Sequence, residues 1–270
     1  MIPKIIHYCW FGGNDKSDII KRCIESWKKY CPDYEIIEWN ENNFDVNCIK
    51  YSADAYKDKK WAFVSDYARL KIVYENGGIY LDTDVLLHNT LDELIQYNCW
   101  LASDDVRYIA TGLGFGAEKG NALIGAIMEA YNEYVYPSGT NVIRDSAIIE
   151  NELPKWNKSD KSQVINEKTL LIGLKDYSKY ATHLYTYTWA DEETVKKRNK
   201  EILNGKKDTI GVKLIWKIKC LVRSPKLISF FDTKRGTIAE KIYTFIAYDF
   251  LDYGPIHYLK LILSKIRRKN

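Results

Sequence analysis

The chain has 270 residues, 46 % of them hydrophobic, which is enough for one large core and an appendage. Its six cysteines (Cys9, Cys23, Cys31, Cys48, Cys99 and Cys220) are scattered, with no Cys-x-x-Cys pair and no nearby histidine partners. That pattern argues against a disulfide framework or a zinc site and for reduced thiols in a cytosolic protein. The net charge of +4 conceals a polarity: from Lys196 onward there are 19 Lys+Arg against 6 Asp+Glu, leaving an acidic body before it.

The chain opens Met1-Ile2-Pro3-Lys4 and enters an apolar run, so no signal peptide is expected, and no apolar stretch reaches the roughly 18 residues of a membrane span. Lys4 to Cys9 reads as a buried strand closed by Trp10-Phe11-Gly12-Gly13, a glycine loop at the strand end where open α/β sheets bind ligands. His7 within it is expected to be a core residue. Residues 16–30 form a helix with Ile20, Cys23, Ile24 and Trp27 on its apolar stripe, and Tyr34 to Trp39 a second strand. Asn40 to Lys60 is polar, with a helical excursion from about Asn42.

The most informative stretch is Trp61 to Asp84. Phe63, Tyr67, Leu70 and Tyr74 recur at helical spacing, with Asp66 and Arg69 together on one flank. Asn76-Gly77-Gly78 stops the helix, and Ile79-Tyr80-Leu81 forms a short strand running into Asp82-Thr83-Asp84. Side chains alternate along a strand, so two carboxylates two residues apart point the same way and repel. A divalent cation relieves that repulsion, and Mg²⁺ or Mn²⁺, which favours oxygen ligands and a diphosphate, is the expected cofactor.

Beyond this, Leu91 to Ile95 reads as a short helix, Cys99 to Ser103 as a strand, and Asp104-Asp105 as a solvated turn. Leu113 to Ala117 is a strand of small residues, with Thr111-Gly112 before it placed to face the site. Asn121 to Tyr136 is expected as one helix and Thr169 to Ile172 as a strand, while 138–165 shows no clear period. Strands alternating with helices predict a mostly parallel sheet flanked by helices.

Two blocks, IPKIIHYCWFGG and SDYARLKIVYENGGIYLDTDV, resemble the DxD-containing sugar transferases of glycosyltransferase family 32, and more distantly the glucosylating clostridial toxins. The resemblance spans about residues 1 to 190. It implies a Rossmann-like GT-A catalytic domain over 1–190, acceptor-side structure in 138–165, and transfer with retention of configuration. It implies that Asp84 holds the metal, with Asp82 beside the ribose and in the outer coordination shell, and it suggests Asp66 and Arg69 for the donor-sugar hydroxyls. For Trp10 it suggests stacking on a nucleobase, against a plain core tryptophan, and for Tyr80 a nucleotide contact, against a core residue. The segment Tyr180 to Trp189 is similar to the family's closing block, so His183, Thr188 and Trp189 are expected to bind the donor, Thr188 also reaching the metal. A UDP-sugar is favoured as donor because the Trp10 block resembles the UDP-using branch.

Residues 191–270 form a basic C-terminal region, expected to be largely helical. Ile210 to Arg223 and Pro255 to Lys269 both mix apolar residues with Lys and Arg, a pattern suited to the plane of an anionic membrane or to capping the core with a basic face. The implied partners are a nucleotide sugar, a glycan or lipid-linked oligosaccharide acceptor, and the inner membrane surface; no nucleic-acid-reading motif is present. A nucleotide-sugar-binding or regulatory protein without turnover is the other reading.

Overall fold

In a computed structural model of the chain, the residues described are 1–186, except 105–107, 135, 137–140, 158–160 and 167, together with 196, 199, 200 and 202. All of them belong to one compact unit, Met1–Lys207. The boundary expected at 190, the basic amphipathic stretches, Thr188, Trp189 and Asp105 lie outside the described residues.

In chain order the elements are β1 (Ile5–Cys9), α1 (Asp18–Tyr30), β2 (Glu35–Trp39), α2 (Lys50–Lys57), α3 (Trp61–Asn76), β3 (Gly78–Tyr80), β4 (Val85–Leu87), β5 (Cys99–Ala102) and β6 (Phe115–Ala117). There follow α4 (Ala122–Ala130), α5 (Asn141–Glu152), β7 (Gln163–Ile165), β8 (Thr169–Ile172), α6 (Leu174–Tyr177) and β9 (Ala181–His183). Seven strands form one sheet in the order β2-β1-β3-β6-β5-β8-β7. The architecture is the expected α/β sheet flanked by helices, and its directions are mixed: β1 runs parallel to β2 and β3, and β5 to β8, whereas β6 is antiparallel to both its neighbours and β7 to β8. β4 and β9 form a separate antiparallel pair.

The centre of the sheet depends on a close approach at β3. Gly77 ends α3, its N–H donating to the Val73 carbonyl at 2.8 Å with φ +70°, and Gly78 follows at φ +102°. Both values lie where glycine alone is unstrained. The space at Gly78 is taken by His7, whose Nε2 sits 2.8 Å from the Gly77 carbonyl and whose Nδ1 accepts from Trp39 Nε1 at 3.1 Å. A ring with one nitrogen accepting and the other facing a carbonyl is a neutral imidazole. Burial holds its pKa down at about 4, against the opposing pull of the Gly77 carbonyl. His7 is thus a core residue, as its place in β1 suggested.

α1 carries Ser17 as its N-cap and buries Ile19, Ile20, Cys23, Ser26 and Trp27. Two of these fix β4: Trp27 Nε1 donates to the Val85 carbonyl at 2.7 Å, and Ser26 Oγ accepts from the Leu87 N–H at 2.9 Å. The strand that follows Asp84 is therefore anchored to α1 by side chains as well as paired with β9, apart from the large sheet.

Three local expectations are corrected. The helix from Asn121 stops at Ala130 and tightens into a 3₁₀ turn over Tyr131–Glu133, which turns Tyr131 inward against Tyr51, Tyr67 and Tyr134. The helical excursion before α3 is confined to Lys50–Lys57. Asp104 is buried, its Oδ1 accepting the Tyr108 N–H at 2.9 Å, so it closes a loop from within and is not solvated.

Candidate metal and donor site

Asp82 and Asp84 lie just beyond β3, and they converge by a turn, not by strand alternation. The strand ends at Tyr80, and the Val85 N–H donates to the Asp82 carbonyl at 3.0 Å, closing a tight reversal around Thr83. β9 then completes the site. Its register opposite β4 sets His183 across from Val85, and the Leu184 N–H donates to the Asp84 carbonyl at 2.9 Å.

His183 Nε2 is 3.1 Å from Asp84 Oδ1 and 3.8 Å from Asp82 Oδ2. The other oxygen of Asp84 accepts both the backbone N–H and the hydroxyl of Thr186 at 2.9 Å, which fixes the carboxylate plane. Among the described residues, Asp82, Asp84 and His183 form a group whose ligand atoms all lie within 4.8 Å of one another. Two carboxylates and an imidazole suit a divalent ion such as Mn²⁺, which takes oxygen readily and tolerates nitrogen. The residues present therefore fit the expected metal: His183 could join the two aspartates in holding it, with Thr186 fixing Asp84.

The charges agree with this use. Burial works to raise Asp82, but Arg69, His183 and the Tyr80 hydroxyl outweigh it and hold the carboxyl below its ordinary value. Burial works to lower His183, while Asp84 and then Asp82 raise it further than burial lowers it. Its Nδ1 accepts the Tyr185 N–H at 3.1 Å, which leaves the ring hydrogen on Nε2 facing the carboxylates. A divalent ion competes with that proton.

Asp66 and Arg69 flank this group from α3. Arg69 is 4 % exposed; its Nη2 sits 2.9 Å from Asp66 Oδ1 and 3.5 Å from Asp82 Oδ1, and its Nε donates to the Ser65 carbonyl. The pair is thus more than an intrahelical ion pair, because Arg69 joins the helix to the acidic turn. Of the two readings of Tyr80 the structure shows the buried one: Arg69 lies 5.1 Å from its ring centre and its hydroxyl donates to Asp82 Oδ1 at 3.0 Å. Its position makes it a support for Asp82. Trp10, half-buried at the end of β1, donates from Nε1 to the Asn14 carbonyl, and Lys16 Nζ lies 5.3 Å from its ring centre.

The opposite wall comes from Thr111-Gly112 and α5. A Cβ on Gly112 would overlap Asp82 Oδ2 and stand 3.2 Å from Arg69 Nη1. Gly112→Ala should therefore displace Asp82 without unfolding the chain: we expect Mn²⁺ affinity, read from the free-ion EPR signal, to fall about 10-fold or more, with the melting temperature nearly unchanged. Unaltered affinity would contradict this packing.

Asn141 Nδ2 donates to Asp66 Oδ1 at 3.1 Å, and Asp145, four residues on, is fully buried with Oδ2 accepting from the Thr111 hydroxyl at 3.2 Å. The only trace of these two in the sequence is their i, i+4 spacing in a stretch without other period. Burial lifts the Asp145 carboxyl to about 7; Arg144 opposes the rise and Asp66 adds to it. Burial likewise raises Asp66 to about 6 against the pull of Arg69. Between the ordinary value of 3.8 and about 7, the folded chain keeps a proton at Asp145 that the unfolded chain has released. Stability is therefore lost as pH rises through that window, by up to about 1.4 kcal/mol per pH unit. Urea titrations from pH 4.5 to 7.5 should show a shallower decline for Asp145→Asn than for the native chain; parallel slopes would refute the assignment.

Comparison with known proteins places this site in context. Residues 17–101 match the glycosyltransferase sugar-binding region containing a DXD motif. That region includes α3, both aspartates and Arg69. Over 134 residues the chain is 30 % identical to inositol phosphoceramide mannosyltransferase 3 of Schizosaccharomyces pombe, covering 46 % of this chain and 35 % of the relative. The chain thus spans about a third of that relative's length. Among solved structures, it is similar to the PaToxG glycosyltransferase, at 18 % identity and TM-score 0.46 over 57 % of this chain and 70 % of that one. It is also similar to a glycosyltransferase involved in glycosylation of the major capsid of PBCV-1, at 13 % identity and TM-score 0.42 over 73 % of this chain and 100 % of that one.

Proposed function

We propose that this chain is a metal-dependent glycosyltransferase of the family 32 type with a GT-A fold, moving a sugar from a nucleoside-diphosphate donor to a hydroxyl of a glycan. The observation that carries the reading is the Asp82–Asp84–His183 group within and beside the matched DXD region, with the buried Asp66–Arg69 pair next to it. Asp84, Asp82 and His183 would hold Mn²⁺ or Mg²⁺, which supplies charge neutralisation to the departing diphosphate. Asp66 accepts from sugar hydroxyls, Arg69 fixes Asp66 and Asp82 relative to each other, and Trp10 stacks on the nucleobase.

Transfer proceeds with retention. The bond from the anomeric carbon to the diphosphate oxygen breaks, the acceptor oxygen bonds to the same face, and the acceptor proton passes to the departing phosphate. Arg69 Nη2 and Asn141 Nδ2 both hold Oδ1 of Asp66, which supports a binding role for that carboxylate, its other oxygen left to the sugar hydroxyls. The anomeric configuration of the product, read by NMR, tests it.

A UDP-sugar is the favoured donor, and the mannosyltransferase relative puts a mannosyl donor beside it. That relative is named for a lipid acceptor, which supports a lipid-linked acceptor here; with it goes a proposed role in cell-surface polysaccharide synthesis at the inner face of the membrane. On this reading the basic residues 191–270 attach the enzyme to anionic lipid, and removing 255–270 should abolish flotation with phosphatidylglycerol vesicles; unchanged flotation would count against attachment. The reading as a whole is tested by incubating the chain with UDP-glucose, UDP-galactose and GDP-mannose in Mn²⁺ and measuring released UDP or GDP. A nucleotide-binding protein without turnover would bind UDP or GDP and release none.

A further inference from the structure

The side chains that fix Asp66 and Arg69 converge on one hydroxyl. Thr111 Oγ1 lies 3.2 Å from Asp145 Oδ2, 3.4 Å from Arg69 Nη1 and 3.4 Å from Asn141 Nδ2. A hydroxyl has one hydrogen to give and two lone pairs to receive. The guanidinium and the amide nitrogen only donate, so the hydrogen goes to Asp145, and both lone pairs turn toward Arg69 and Asn141. Asn141 is locked as well: its Nδ2 also serves Asp66, and its Oδ1 accepts the Val142 N–H at 2.9 Å, so the amide has no reason to flip.

Asp145 itself is an expensive residue at this place. It is 0 % exposed, and among the described residues its Oδ1 has no hydrogen-bond partner. Leaving a buried acceptor unmatched costs about 1–3 kcal/mol, and more when it is charged. Packing alone would favour an apolar side chain, as at Val142, Ile143 and Ile149 on the same helix.

We propose that Asp145 is a positioning residue for the transfer reaction: acting through Thr111, it sets the orientation of Arg69 and Asn141, and through them of Asp66, for the grip on the donor sugar. The proposal rests on the glycosyltransferase reading above and adds to it a residue outside both the acidic turn and α3. It predicts a larger effect on turnover than on nucleotide binding, because the relay reaches Asp66 through both Arg69 and Asn141 but Asp82 through Arg69 alone.

The test compares Asp145→Ala and Thr111→Val with the conservative Asp145→Asn and Thr111→Ser, which each keep an oxygen in place. Release of UDP or GDP from the three sugar nucleotides in Mn²⁺ is measured, with binding of bare UDP and GDP alongside. Asp145→Ala and Thr111→Val should each lower kcat about 10²-fold, with nucleoside diphosphate affinity falling far less, the double variant no worse than either single one, and the conservative variants recovering most of the rate. Unchanged kcat in the first two, or additive losses in the double variant, would overturn the relay. An independent readout needs no turnover: without metal, the Arg69 Nε–H and Asn141 side-chain amide NMR signals should shift in Asp145→Ala and Thr111→Val, and their constancy would also overturn it. If Asp145→Ala does not fold, the Thr111 pair carries the test alone. Should the native chain release no nucleotide from any donor, the transferase reading fails, while the NMR signals still decide whether Asp145 governs these side chains.

Discussion

Asp84→Asn should reduce nucleoside diphosphate release about 10²- to 10³-fold while leaving the chain folded. The magnitude is that of removing one preorganised electrostatic contact from a reacting centre. The fold survives because an asparagine keeps a carbonyl oxygen for the Thr186 N–H and hydroxyl, which fix this side chain at 2.9 Å. What is lost is a negative charge facing His183 Nε2 and Asp82, the group proposed to hold the ion. Chelation of divalent ions from the native chain should reproduce the loss, and Mn²⁺ should restore the native chain but not the variant. Full activity in Asp84→Asn, or in chelated native protein, would end the metal-dependent reading.

The largest effect on stability is expected at Gly78. Two costs coincide there: φ of +102°, which strains any residue with a Cβ, and a position where that Cβ would stand 2.8 Å from His7 Nε2 and 2.9 Å from the Ile5 carbonyl. The first alone is about 1–3 kcal/mol. The second cannot be relieved by rotating a side chain, since Ile5 contributes backbone and His7 is fixed at both ring nitrogens by Gly77 and Trp39. Gly78→Ala should therefore lose more than about 3 kcal/mol in urea unfolding, or fail to accumulate as folded protein. A loss below about 1 kcal/mol would mean that β3 does not sit where it is described. Gly13, also at positive φ but with open space around it, should tolerate alanine far better.

Much of this site is legible in local sequence. Helical spacing marks α3, the glycine pair its end, and the two aspartates a place suited to a cation, because each signal arises within a few residues of itself. The resemblance added His183, which lies where the carboxylates meet. What local pattern does not encode is partnership at distance. β6 has three residues, Phe115–Ala117, and nothing in them says that they run antiparallel between β3 and β5; that direction follows from the chain returning through the Ile109 bridge to Ser103. The pairing of β4 with β9 is equally silent, and so is the turn after Tyr80 that brings Asp82 and Asp84 together where the local pattern suggests strand alternation. Asn141 and Asp145 occupy a stretch whose apolar period is weak because the inward face of α5 carries Asp145 and Ser146 beside Val142, Ile143 and Ile149. A polar buried face looks like a surface one until its neighbours are known.

The separate β4–β9 pair sets an order of events during folding. Asp84 and Thr186 are 102 positions apart, yet they share a carboxylate, and His183 reaches the same spot only once β9 docks. Closing so long a loop is slow and entropically costly compared with forming α3 and its turn. A ribosome-bound chain ending near residue 101 would already carry both aspartates and Arg69 but not the imidazole, so on the proposed function capture of a cation by all three side chains would come late and report that β9 has docked.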